Sequence, residues 1–91
     1  MKSYLVNYDL NRPGQQYAGL IQAIKCLGVS EHIQLSVWIV NSHLSAITIR
    51  SSLLPYLDAN DKLFVVELQR EAAWSGLAPG ISNWLISNLA A

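Results

Sequence analysis

Between Ser3 and Leu10 the chain alternates strictly: Tyr4, Val6, Tyr8 and Leu10 fall on one side, and Leu5, Asn7 and Asp9 on the other. A period of two belongs to a half-buried strand. A strand with so apolar and aromatic a face must be covered, which points to a sheet layered against helices. The run then ends on a single carboxylate, Asp9, followed by the turn sequence Asn11-Arg12-Pro13-Gly14.

Beyond that turn the spacing changes to that of helices and back again. Pro13-Gly14 closes the strand and opens a helix, with Asn11 as its expected cap. Tyr17, Leu20, Ile21, Ile24 and Leu27 follow at helical spacing, and Gly28 is placed to end it. Residues 31–42, EHIQLSVWIVNS, are β-branched and aromatic but too long for one ordinary strand. We read them as two strands, or one bent strand, broken near Leu35-Ser36. Ser45 is an expected N-cap for a helix to about Leu57 that turns Ile49, Leu53 and Leu57 inward, and Pro55 should bend or end it. A strand over residues 62–69 follows, then a tail in which Ile81, Trp84, Leu85 and Leu89 imply a short amphipathic helix from about Pro79.

This order predicts an α+β fold, a ferredoxin-like βαββαβ sandwich with both main helices on one sheet face and a C-terminal helical tail. Ninety-one residues make one domain, 1–91, with a core of about 3–69 and a tail of 70–91. The chain is 52% hydrophobic and only 13% charged. A core this small cannot hide that much apolar surface, so we expect a two-fold homodimer to cover the excess.

Six basic residues balance six acidic ones, and the basic ones are scattered. That argues against strong nonspecific binding to nucleic acid, which draws on a basic excess. The single Cys26 excludes an intrachain disulfide and a multi-cysteine metal site, and is expected in a helix as a small hydrophobe. No stretch reaches the roughly 18 apolar residues of a membrane span, and no leader pattern opens the chain. The expectation is a cytoplasmic protein without a membrane partner.

Several short motifs then occur in a telling order: Tyr8-Asp9 ending the first strand, Gln34-Leu35-Ser36-Val37-Trp38 in the middle strands, a helix, and Asp61-Lys62-Leu63-Phe64-Val65-Val66. Together they resemble the Cas-two superfamily, the small dimeric subunit of CRISPR spacer acquisition, and its relative virulence-associated protein D. The resemblance runs from about Ser3 to Leu68. It implies a ferredoxin-like homodimer in which the acid ending strand one faces its twin across the two-fold axis. There, paired carboxylates hold a divalent metal, Mg2+, and some members cut phosphodiester bonds. Only Asp9 takes that role in this chain, and Ser36 matches the serine near that site. RNA or short duplex nucleic acid would be the substrate, by family analogy. A first helix that is not strongly basic, the neutral overall charge and the tail with Trp74 and Trp84 depart from the CRISPR members, which favours a stand-alone, SinR-like relative.

Each candidate has a plainer role. Asp9 either caps an Asx turn into Asn11-Arg12-Pro13 or supplies half of a metal site that symmetry completes, since Mg2+ takes oxygen ligands and commonly one or two carboxylates. Asn7 and Ser36 would satisfy cross-strand hydrogen bonds; Glu67 is either a third site oxygen or a solvated edge residue. His32 and His43 lack zinc spacing and read as solvated turn residues, with His43 an outside candidate for a proton shuttle. Trp38, Trp74 and Trp84, without interleaved cations, read as core or interface packing. The rival to a nuclease is a catalytically inactive dimeric interaction or scaffold module, such as a toxin–antitoxin component.

Overall fold

The structure is a computed structural model that describes residues 1–11 and 17–89. Four strands and three helices follow in the order β1 (Lys2–Asp9), α1 (Ala18–Lys25), β2 (Val29–Gln34), β3 (Val37–Ser42), α2 (Ala46–Leu53), β4 (Lys62–Leu68) and α3 (Pro79–Asn88), with a 3-10 turn at Leu54–Tyr56. The sheet order is β2-β3-β1-β4, and each neighbouring pair is antiparallel. This small α+β architecture, with β1 and β3 at its centre, is compatible with a ferredoxin-like fold.

The alternation of β1 decides which side the helices cover. Tyr4, Val6 and Tyr8 are buried in one cluster with Leu20 and Ile24 of α1, Trp38 and Val40 of β3, and Ile49 and Leu53 of α2. Both expected helices therefore share that face. The hydroxyl of Tyr8 accepts a hydrogen bond from Trp38 Nε1 at 3.3 Å, which satisfies the one polar atom of the buried indole. On the opposite face, Ile39 meets Leu85 of α3 and Leu89 just after it, with Ile33, Leu68, Ile81 and Trp84 around them. The tail helix thus covers part of the second face, and Pro79 lies in its first turn.

The punctuation follows the sequence closely. Ser45 Oγ accepts the N–H of Thr48 at 3.1 Å and caps α2, whose α-helical part ends at Leu53, before Pro55. Residues 31–42 divide at Leu35-Ser36 into β2 and β3. Gly28 joins α1 to β2 where a Cβ would collide with the carbonyl oxygen of Asn41, so only glycine fits that close approach.

Three expectations need correction. The cap of α1 is Tyr17, without a side-chain hydrogen bond, rather than Asn11; Pro13-Gly14 lies outside the described residues. Cys26 is exposed at the end of α1 instead of packed as a hydrophobe. His32 is no turn residue: it lies in β2, its ring stacked flat on Trp38 with centroids 4.5 Å apart and planes within 3°.

Candidate functional site

The register of β1 sets the site. Ser3, Leu5, Asn7 and Asp9 line the face away from α1 and α2, opposite Leu68, Val66, Phe64 and Lys62 of β4. Asp9 is exposed at the end of that row. Its carboxylate makes no hydrogen bond and no ion pair with any described residue, although Lys62 stands directly across from it.

The Asx-turn reading of Asp9 is overturned by a different aspartate. In an Asx turn Asp9 would accept the backbone N–H of Asn11, two residues on. That N–H donates instead to Asp61 Oδ1, at 2.7 Å. Asp61 also accepts the N–H of Asp58 at 2.8 Å and the hydroxyl of Tyr17 at 3.2 Å, tying the β1–α1 connection to the start of β4. Sequence reasoning passed over this clamp. The polar turn Asp58-Ala59-Asn60-Asp61 before an apolar strand was the available signal.

Ser36 is brought to the same end of the sheet but not onto Asp9. Its carbonyl oxygen accepts the N–H of Tyr8 at 3.2 Å, and its hydroxyl donates a long hydrogen bond, 3.4 Å, to Asn7 Oδ1. Asn7 and Ser36 therefore fix the strand end that carries Asp9, and the serine hydroxyl is engaged with an amide rather than poised as a nucleophile.

Two candidates are placed elsewhere. Glu67 stands opposite Tyr4, toward the helical face, with its carboxylate 3.7 Å from Lys2 Nζ. It cannot add an oxygen beside Asp9. His43 follows Ser42, which pairs with Lys2 at the far end of β1. Seven steps of about 3.3 Å put roughly 23 Å between the two ends of β1, so His43 of the same chain cannot shuttle a proton there.

The donor set bears directly on a metal. Among the described residues no three His, Cys, Asp or Glu side chains gather into a group that could hold an ion. At this end of the sheet face, Asp9 is the carboxylate without a partner among the described residues. A Mg2+ ion keeps several waters and commonly takes one or two carboxylates plus phosphate oxygens, the carboxylate part of which Asp9 would supply here.

Around Asp9 the sheet face is only partly dressed. Leu5, Val37, Phe64 and Val66 belong to neither packed cluster, and Phe64 is 60% exposed. At the turn between β2 and β3, Leu35 is 92% exposed. Trp38 is buried, Trp84 half-buried, and Trp74 exposed with its Nε1 donating to Ser82 Oγ at 3.0 Å. No helix among the described residues is long and apolar enough to cross a membrane. No protein-family model matches the chain, and no solved structure matches it.

Proposed function

We propose that the chain works as a two-fold homodimer of Cas-two type, in which the two Asp9 carboxylates meet across the axis, hold Mg2+ and cut phosphodiester bonds of RNA or short duplex nucleic acid. The observation that supports this most is the state of Asp9: a solvent-facing carboxylate with no hydrogen bond or ion pair to any described residue, at the rim of a partly covered apolar sheet face. Asp61, not Asp9, clamps the turn. The motifs Tyr8-Asp9 and Gln34-Leu35-Ser36-Val37-Trp38 add the family resemblance.

In this reading each residue has a physical task. Asp9 binds the cation, and Asn7 with Ser36 holds the end of β1 so that the carboxylate keeps its place. Lys62, across from Asp9, offers positive charge to a backbone phosphate oxygen. The metal would supply an activated water and neutralise the charge that develops on the phosphate. Association through Leu5, Val37, Phe64 and Val66 would cover the bare part of the face and bring the second Asp9.

A second reading, an inactive cytoplasmic interaction or scaffold module, draws on the balanced charge and the exposed apolar side chains Leu35 and Phe64. The two separate in one assay: labelled RNA and duplex DNA incubated with the purified protein in Mg2+, Mn2+ or EDTA, beside Asp9→Ala. Metal-dependent cleavage lost in the variant supports the nuclease. A folded dimer that cuts neither substrate with either metal leaves the scaffold.

A further inference from the structure

The two edges of the sheet are built differently. At the β2 edge the ladder is protected: its register with β3 shifts between His32 and Gln34, the strand carries Glu31, and the His32 imidazole is tied to the carbonyl of Leu35. Bulges and charges of this kind keep an edge from pairing with other chains. At the other edge, β4 has no proline, no bulge and no charge between Lys62 and Glu67; its centre reads Leu63-Phe64-Val65-Val66.

Which groups of β4 are free follows from the pairing. The N–H of Tyr8 goes to Ser36 on the β3 side, so the alternate residues of β1, Leu5 and Asn7, turn their backbone groups toward β4. Their partners Val66 and Phe64 use their own backbone groups in that ladder. Leu63, Val65 and Glu67 therefore present N–H and C=O outward. Beside them, α2 forms the wall of a cavity of about 260 Å3 lined by Ala46, Ile47, Arg50, Leu63, Phe64 and Val65. Ile47 is 67% exposed, and Arg50 has no ion pair among the described residues.

We infer that the free edge of β4 is a docking site for an extended segment of a partner protein, apolar at alternate positions and acidic where it passes Arg50. The segment adds as a fifth strand: main-chain hydrogen bonds to Leu63 and Val65 hold it, and the cleft under α2 reads its side chains. The charge follows from Arg50 in the cleft, which has no ion pair among the described residues. The inference is independent of the metal site at Asp9.

The test uses the full chain and fluorescein-labelled heptapeptides of alternating valine and threonine with a central glutamate, read by anisotropy. One twin carries lysine at the centre, and another carries N-methyl groups on alternate residues, which removes backbone donors without touching the protein. The glutamate peptide should bind with a Kd of about 10–100 µM and the lysine twin about tenfold or more weakly. Arg50→Glu should reverse that preference, and the N-methylated twin should not bind. Val65→Pro should abolish binding with the fold kept, because an outward-facing N–H is the one a sheet edge can lose. Absence of binding up to about 1 mM, or equal binding of all three peptides, would overturn the inference. So would a dimer that Val65→Pro splits into monomers, since a second copy would then occupy the edge.

Discussion

The carboxylate of Asp61 takes the backbone N–H of Asn11 at 2.7 Å, across fifty residues of sequence. That contact relieves Asp9, two residues before Asn11, of the structural role its sequence position implies. It also separates the two aspartates: Asp61 holds the turn, and the Asp9 carboxylate makes no hydrogen bond or ion pair with any described residue.

Stability should therefore separate them. Asp61→Ala removes the acceptor of two backbone N–H groups and the Tyr17 hydroxyl, and should cost about 1–2 kcal/mol in urea unfolding. Asp9→Ala removes no described contact and should stay within about 0.5 kcal/mol of the parent. A comparable loss in both variants would mean that Asp9 also carries the fold.

The buried Trp38–Tyr8 pair gives a second prediction. In Tyr8→Phe the indole N–H of Trp38 loses its acceptor inside the main core, and stability should fall by about 1–3 kcal/mol. Tryptophan emission should shift as well, because Trp38 is the most buried of the three indoles. Denaturant curves followed by fluorescence and by circular dichroism measure both effects.

Local punctuation supplies a third. Ser45→Ala should lose about 1 kcal/mol through the missing cap of α2. Gly28→Ala forces a Cβ against the Asn41 carbonyl at the α1–β2 junction and should lose about 1–3 kcal/mol as an overpacked site. Both are read from the midpoint of chemical unfolding.

The sequence announced most of this architecture because its signals were local. The alternation of Tyr4, Val6 and Tyr8, the break at Leu35-Ser36, the Ser45 cap and Pro55 each act within a few residues, and each lies where expected. What it hid depends on distant partners. Asp61 reaches Asn11 only after β4 has paired with β1, so the turn chemistry written beside Asp9 pointed to the wrong acid. Glu67 and His43 looked eligible until register placed them at the other end of the sheet. His32, spaced like a turn residue, was claimed by the flat face of Trp38 across the hairpin.

The central claim is that two copies of Asp9 face each other, and a disulfide reports that most directly. In a Cys26→Ser background, Asp9→Cys is oxidised under mild conditions and run on a non-reducing gel beside a Lys2→Cys control at the far end of β1. Two thiols across a two-fold axis within disulfide reach, with Cα atoms less than about 7 Å apart, should join into a covalent dimer. The account predicts rapid, near-complete dimer for Asp9→Cys and little for Lys2→Cys. A monomer in both, or equal slow cross-linking in both, would contradict it.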